Sequence, residues 1–338
     1  MEKTIYDVAK LAGVSTATVS RVINNIGNVS PKSEAKVRLA MEKLQYSPNA
    51  LARGFAQSKS KTIGLVMDLP NIEDKNIIQI SSFFFTELFR GVNSILRQKG
   101  YFLMVINEEH NLEGLVRNFL DQKRIDGLIV GYMPADTEDL EKVLEVERPL
   151  VYIGNIHEYN RGLHVYAQYI EYLNDVLVYF KSKGHRSIAF LSQQNDKHLQ
   201  KVWDAENKDG SKNLTIYYLD YKNYDSFIDE VKEVFSKPDR PTAFFVENIG
   251  MIQQITTVLH ELGLSVPDDV SLMSVEHVKG MGENFSPKIT CMYVPVTKMG
   301  EAAIRLLLEY IEGKSDSFNK KVNIQPALIE RDSVADKR

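Results

Sequence analysis

The sequence predicts an α/β protein in which a small helical head precedes a larger core of parallel sheets. Up to Leu44, apolar residues recur at helical spacing in three short runs. From Thr62 onward, short apolar strands alternate with amphipathic helices, as in doubly wound sheets that carry helices on both faces. Charge separates the same two parts: residues 1–61 hold ten Lys and Arg against four Asp and Glu, or +6, so within a chain of −4 the remainder carries −10.

The first helix of the head is predicted over residues 4–14. Its apolar positions recur at i, i+3, i+4 and i+7 from Ile5, which is the inner face of an amphipathic helix. Thr4 and Asp7 stand at the spacing of a capping box. Gly13 suits the turn that follows, because a helix end often requires a residue that tolerates positive φ.

The second and third helices have their own start signals. Ser15 is placed to cap the second helix. Ser30 and Pro31 provide a cap and a proline at the first helical position of the third helix. Three short helices with a glycine turn between the first two are typical of a helix-turn-helix, whose second helix enters the DNA major groove.

The outer face of the second helix offers groups that can contact base edges. Thr16 can donate or accept a hydrogen bond, and the methyl group of Ala17 can contact a thymine methyl. Arg21 can donate two hydrogen bonds to a guanine. The alternative is a small helical cap without a ligand, but the basic charge of this segment favours DNA binding.

The head resembles the lactose/galactose-repressor (LacI/GalR) family in the runs TIYDVAKLAGVSTATVSRVIN and VSPKSEAKVRLAMEKLQYSPNALARGF. The resemblance implies a DNA-binding domain over 1–46, a hinge helix and linker over 47–61, and an effector-binding and dimerisation core over 62–338. It also implies that Phe55 acts as the apolar wedge in the minor groove. The residues expected to contact DNA are Thr4, Ser15, Thr16, Ala17, Thr18, Arg21, Asn24, Asn25, Tyr46, Asn49, Ala52, Arg53 and Phe55.

For the core, the resemblance implies two lobes like those of periplasmic sugar-binding proteins, with the chain crossing between them three times. The expected first lobe is about 62–161 plus 293–322, and the second is about 162–292 plus 323–338. Ligands of open α/β sheets bind beyond the carboxyl ends of the strands. The residues that follow each strand are therefore the candidates for an effector site.

Several of the family's effector-binding positions are altered. Phe84 and Phe85 match an aromatic pair that stacks on the effector, although plain core packing is the alternative. Asn248 is retained, Ile249 replaces an Asp that takes sugar hydroxyls, and Glu276 stands where the family has the Asp of Gly-Phe-Asp. The residues expected to line the cleft are Phe84, Phe85, Tyr132, Gln168, Tyr169, Lys201, Trp203, Asn248 and Glu276.

The resemblance implies a transcriptional regulator, expected to repress, that binds a near-palindromic operator as a homodimer. Its expected effector is a small molecule, a sugar or sugar derivative, although a core that only dimerises is also open. The terminal ERDSVADKR lacks a leucine heptad, which favours a dimer over a tetramer. The alternative for the whole chain is a solute-binding protein that transports or senses a ligand without any DNA activity.

Other classes of protein lack support in the sequence. No G-x-G-x-x-G after a strand, Walker pattern or G-x-S-x-G elbow is present, so neither an enzyme nor a cofactor is expected. The seven histidines are scattered, which predicts no metal site. Cys291 is the only cysteine, as in proteins of a reducing compartment. The apolar runs are too short for a membrane span and no secretory signal is seen, so a cytoplasmic location is expected.

Overall fold

A computed structural model describes most of the chain and confirms the predicted α/β class. It covers residues 3–24, 27–46, 59–67, 80–107, 111–131, 137–154, 161–192, 197–208, 214–219, 224–314 and 319–338. Within these ranges the chain forms a three-helix head and two six-stranded sheets flanked by helices.

The three helices of the head lie close to their predicted positions, and the helices of the core alternate with strands as predicted. The sequence does not indicate one core helix, α8 (Lys197–Glu206), which follows the first strand of the second sheet. In chain order the helices are α1 (Ile5–Ala12), α2 (Thr16–Asn24), α3 (Pro31–Leu44), α4 (Ile80–Lys99), α5 (Leu112–Leu115, continued by a π-helical turn, Val116–Asp121), α6 (Thr137–Glu145), α7 (Tyr169–Ser182), α8 (Lys197–Glu206), α9 (Tyr224–Ser236), α10 (Ile252–Glu261) and α11 (Val296–Ile311).

The strands alternate with these helices, as expected for crossover connections. In chain order they are β1 (Thr62–Met67), β2 (Phe102–Asn107), β3 (Gly127–Gly131), β4 (Leu150–Ile153), β5 (Leu163–Tyr166), β6 (Ile188–Ser192), β7 (Leu214–Tyr218), β8 (Ala243–Val246), β9 (Ser271–Glu276), β10 (Thr290–Tyr293), β11 (Lys320–Asn323) and β12 (Ala327–Ile329).

The strands form two sheets of similar topology. The first has the order β11-β5-β4-β3-β1-β2 and is parallel throughout. The second has the order β12-β10-β9-β8-β6-β7 and is parallel except for β12, which pairs antiparallel with β10. The chain passes between the sheets three times, after β5, β10 and β11.

Two features of the sheets differ from the expectation. The strand β5 pairs with β4 in the first sheet, so the first lobe extends to Tyr166 and not to about residue 161. The sequence indicates one terminal strand near 323–328, whereas the structure has two strands in this part of the chain, β11 in the first sheet and β12 in the second. The strands β11 and β12 are only four and three residues long and are partly exposed. The pattern of apolar and polar residues therefore does not show where one strand ends and the next begins.

The three helices of the head pack around a small hydrophobic core of their own. Val8, Val19 and Val37 are fully buried between its three helices. Gly13 ends α1 in the left-handed region at φ 65°. Gln45 occupies the same region after α3, at φ 49°, where a side chain is disfavoured by roughly 1–2 kcal/mol. The head therefore contains a strained position that a glycine would relieve.

The helices α4 and α11, which cover the first sheet, pack unusually closely against each other. A Cβ atom on Gly300 would lie 2.6 Å from the carbonyl oxygen of Leu88, and one on Gly91 would lie 2.1 Å from that of Thr297. Glycine in a helix costs about 0.5–1 kcal/mol relative to alanine, so the direct backbone contact explains its use here. None of the described helices is long and apolar enough to cross a membrane.

Candidate DNA interface and ligand cleft

The N-terminus of α2 is fastened by its own hydroxyl groups. The backbone N–H of Thr18 donates to Oγ of Ser15 at 3.1 Å, and the Oγ atoms of Ser15 and Thr18 lie 2.9 Å apart. The Ser15 carbonyl also accepts the N–H of Val19, whose side chain is fully buried. These bonds satisfy amide groups that a helix start leaves open and hold the first turn of α2 in one orientation.

The opposite face of α2 is open to solvent. Ala17 and Arg21 are exposed and Thr16 is half-buried, whereas Val19 and Val22 are buried against the head core. The side chains predicted to meet base edges are thus presented together on one face. A rigid helix with small residues in its first turn can approach the floor of a major groove.

The other predicted DNA-contacting residues are distributed differently. The N–H and hydroxyl of Thr4 both donate to the Asp7 carboxylate at 2.9 Å. These two hydrogen bonds, the backbone one most strongly, lower the pKa of Asp7. Tyr46 is half-buried against the head core. Asn24 ends α2, and its side chain is not among those that the structure describes. Outside the described residues altogether are Asn25, Asn49, Ala52, Arg53 and Phe55.

The head surface carries the basic charge that the sequence predicts, together with an aromatic residue that was not predicted. Tyr6 on α1 is 73% exposed, although a tyrosine has a large apolar ring. Its phenol hydroxyl can donate to a phosphate oxygen. The signal in the sequence is an aromatic residue at an outward position of an otherwise regular amphipathic helix. The exposed cations of the head are Lys3, Lys10, Arg21, Lys32, Lys36, Arg38 and Lys43.

In the second lobe, polar residues meet at the carboxyl edge of the sheet. Ser192 ends β6, Glu247 directly follows β8, and Glu276 ends β9. Because these strands are parallel neighbours in the order β9-β8-β6, their ends lie side by side. This edge faces the connections that lead to the first lobe, where an α/β sheet binds its ligand.

Glu247 is the carboxylate that the sequence analysis missed. Its Oε1 accepts the hydroxyl of Tyr169 at 2.5 Å, and its Oε2 accepts the hydroxyl of Ser192 at 2.6 Å. The partners stand 78 and 55 residues away in the sequence, and the side chain of Glu247 is half-buried. The only sequence signal is its position directly after a buried strand. Tyr169, a predicted cleft residue, is thus brought to this edge by the N-terminus of α7.

Glu276, predicted to bind the effector, is held inside the second lobe by other groups of the protein. It is fully buried, and its two oxygens lie 3.0 and 3.2 Å from a guanidinium nitrogen of Arg331. The backbone N–H groups of Gly280 and Gly282 also donate to it, at 3.2 and 2.8 Å. The C-terminal segment that carries Arg331 therefore satisfies this carboxylate from inside the lobe.

Phe84 and Phe85, the predicted aromatic pair, lie in different surroundings. Phe85 is 6% exposed and belongs to the core, which favours the alternative of plain core packing. Phe84 is half-buried, and its ring meets that of His277 edge to face at 5.6 Å between centroids. His277 follows β9 in the second lobe, whereas Phe84 lies on α4 of the first. Burial lowers the pKa of His277 to about 4, which leaves the imidazole neutral at physiological pH.

The remaining residues predicted to line the cleft lie in different parts of the core. Gln168 accepts a hydrogen bond from the Gln325 amide at 3.0 Å, which joins the first and third crossing segments. Asn248 is buried, and its Oδ1 accepts the N–H of Gly250 at 2.7 Å, so this oxygen caps the following 3-10 turn. Lys201 and Trp203 are exposed on either side of buried Val202 and face outward from α8. Tyr132 lies outside the described residues.

Comparison with known proteins shows two matching segments and several relatives of similar length. Residues 4–49 match bacterial regulatory proteins of the lacI family, and residues 177–334 match a periplasmic binding protein-like domain. The HTH-type transcriptional repressor PurR of Vibrio vulnificus (strain CMCP6) is 32% identical over 350 residues, covering 98% of both chains. Catabolite control protein A of Priestia megaterium is 31% identical over 322 residues, covering 92% of this chain and 93% of that protein.

A solved structure shows the same fold over nearly the whole chain. The lac repressor dimer bound to operator and the anti-inducer ONPF aligns with a TM-score of 0.80, covering 99% of this chain and 100% of that one at 23% identity. The likeness extends over the helical head and both sheets.

Proposed function

Because this chain belongs to the LacI family of bacterial regulatory proteins, we propose that it is a transcriptional repressor that binds a near-palindromic operator as a homodimer. A small molecule in the cleft between the lobes, a sugar or sugar derivative, modulates this binding. The relatives named as a repressor and a control protein share more than nine-tenths of its length, which supports this role. It acts in the cytoplasm, by binding and not by catalysis.

The observation that carries the proposal is the arrangement of α2. Its cap uses Ser15 and Thr18 within the head, while Ala17 and Arg21 remain exposed. A guanidinium in this position can read a guanine, and the surrounding lysines can bind phosphates. Binding should therefore weaken steeply as salt increases, because phosphate contacts release counterions.

The first lobe offers a face for a second copy of the chain. Phe102, on the edge strand β2, is 70% exposed, and Val105 on the same strand and Phe89 on α4 are also exposed. Exposed apolar edge strands need cover, and a two-fold contact covers the same face on both subunits. Such a dimer places two heads near each other, as two operator half-sites require.

The described end of the linker is fastened to the first lobe. The Asp126 carboxylate accepts the N–H and hydroxyl of Ser60 at 2.5 and 3.0 Å, and the N–H of Lys61 at 2.9 Å. Asp126 directly precedes β3, so the attachment moves with the sheet. A ligand that favours one lobe arrangement can then act on the head through this attachment.

The experiment is an equilibrium binding titration of the full-length protein with a pool of randomised duplexes. We expect enrichment of near-palindromic sites and affinity that decreases linearly with the logarithm of salt concentration. Binding without sequence enrichment would contradict the proposed operator recognition. A parallel titration with added sugars tests whether a small molecule shifts the midpoint.

A further inference from the structure

We propose that the first lobe has a DNA-contacting surface of its own, at the edge of its sheet where the linker enters. This basic edge binds phosphate groups of the operator and adds to the contacts that the head makes. The inference rests on the proposed operator binding and assigns a second surface to it. The basic edge consists of six exposed cations, Lys59, Lys61, Lys99, Lys123, Arg124 and Lys314.

The fold places the basic edge at the end of the core that adjoins the head. The strands β3, β1 and β2 are parallel neighbours, and Lys61, Lys99 and Lys123 each lie within four residues of a strand start. The crossings between the lobes leave the carboxyl ends of β5, β10 and β11, so this amino edge lies away from the cleft. Twelve residues separate Tyr46 of the head from Lys59, a length that spans at most about 45 Å. The basic edge is therefore held near any duplex that the head binds.

Charge is the second argument, because the basic edge interrupts an acidic core. Residues 62–338 carry −10 overall, and a negative surface beside DNA is repelled by its phosphates. Among the described residues of this edge, two carboxylates accompany the six cations: Asp126, which bonds the linker, and Glu312, which bonds Lys314. Asp121 nearby is paired with Arg148 at 2.8 Å and adds no net charge. The end of the core that adjoins the head is thus positive, as an approach to DNA requires.

Electrostatic contacts show that the members from different elements share one surface. Glu312 directly follows α11, Lys99 ends α4, and Lys59 belongs to the linker. The hydrogen bond from Lys314 lowers the pKa of the Glu312 carboxyl most strongly, and the charges of Lys99 and Lys59 lower it as well. These lysines therefore lie close enough to Glu312 to interact with it. A row of lysines suits a phosphate backbone, because an ammonium group binds phosphate as a point charge without a fixed geometry.

The backbone at two of these lysines is the third argument. Lys61 and Lys123 have left-handed φ values of 55° and 56°, a conformation that glycine or asparagine adopts more readily. The N–H of Lys61 donates to Asp126 at 2.9 Å, and its ammonium lies 4.3 Å from the ring centre of Tyr101. The N–H of Lys123 donates to the carbonyl of Leu120 at 3.0 Å, a bond that a smaller residue would keep. An exposed side chain at a strained position points to a use for that side chain.

The test is the salt dependence of operator binding by the full-length protein. Each phosphate contact contributes about 0.9 to the slope of log affinity against log salt concentration. K99Q/K123N removes two cations per subunit, and asparagine tolerates the left-handed position. With the near-palindromic duplex obtained by selection, we expect at least about tenfold weaker binding at low ionic strength and a slope smaller by about 1 or more. The base preference should not change, because phosphate contacts carry no sequence information.

Matched variants separate a local contact from a change in net charge or in folding. R186Q/K208Q removes two exposed cations at the amino edge of the second sheet and should leave affinity and slope unchanged. K99R/K123R keeps both charges and should bind like the unaltered protein. An unchanged slope in K99Q/K123N, an equal loss in R186Q/K208Q, or a similar loss in K99R/K123R overturns the inference. In each of these cases the proposed function stands, because the unaltered protein still selects its operator. If the unaltered protein binds no duplex, the proposed function and the inference both fail.

Discussion

The head and the second lobe differ in how far along the chain their polar side chains reach for partners, because the second lobe adds long-range hydrogen bonds to local ones. In the head, hydrogen bonds join residues three apart, as between Thr4 and Asp7 or Ser15 and Thr18. In the second lobe, Glu276 reaches Arg331 across 55 residues. Local bonds leave the outer face of a helix free for DNA, whereas long-range bonds tie distant segments into one lobe. The same polar chemistry therefore serves recognition in one region and cohesion in the other.

The largest expected effect tests the cohesive side of this comparison. Arg331→Met leaves the buried Glu276 without its cation, and breaking a buried pair typically costs about 3–5 kcal/mol. We expect a lower free energy of unfolding in denaturant titrations, with the transition of the core affected. Arg338→Met is the control, because Arg338 is exposed and pairs with Asp336, two residues away. Equal stability of the two variants would mean that the buried pair does not hold the lobe together.

The recognition side is tested by Arg21→Ala. Losing one bidentate base contact should cost about 1–3 kcal/mol of operator binding and relax the preference at one base position. Fluorescence anisotropy measures the affinity, and sequencing of selected duplexes measures the preference. Arg38→Ala serves as the control, because Arg38 pairs with Glu34 at 2.7 Å on α3. An unchanged base preference in the Arg21 variant would remove the assigned role.

The link between the two regions is tested at Asp126. Asp126→Ala removes the acceptor of three hydrogen bonds from Ser60 and Lys61, so the linker should open more often. Limited trypsin digestion should then cleave after Lys59 and Lys61 about tenfold faster, which corresponds to roughly 1.4 kcal/mol of lost protection. Asp121→Ala is the control, since Asp121 pairs with Arg148 elsewhere on the lobe. The same cleavage rate in all three proteins would show that Asp126 does not fasten the linker.

The smallest expected effect sharpens the account of local structure in the head. Gln45→Gly relieves the left-handed position after α3 and should stabilise the head by about 1 kcal/mol. Slower hydrogen exchange of the buried amides of α3 would show the gain. A neutral or destabilising result would mean that the Gln45 side chain contributes as much as its backbone strain costs.

Features of the fold that depend on local sequence patterns were predictable, whereas short or polar elements of the core were not. The caps at Ser15 and Ser30 and the strand–helix alternation are local patterns, and the structure places them as predicted. The strand β5 was missed because it is only four residues long and contains His164. The polar helix α8 was missed because its apolar face is narrow, with Leu199 and Val202 as the buried residues among those whose side chains are described.

The cleft was harder to predict because its residues meet only in the folded lobe. Glu276 looked like a ligand-binding carboxylate, since nothing near it in the sequence shows that Arg331 will satisfy it. Glu247 was missed because its partners Tyr169 and Ser192 lie on other elements. Asn248 was predicted to bind the effector, but it caps its own turn. The residue type alone does not show that the Asn248 oxygen also has this structural role.

The most direct test of the central claim is the binding of full-length protein to duplex DNA at low ionic strength. The account predicts saturable binding to a near-palindromic duplex that comes from selection, with two subunits bound per site and a marked loss of affinity as salt increases. If the folded protein binds no duplex from the selected pool or from its own promoter, the assignment of the head to DNA recognition is contradicted.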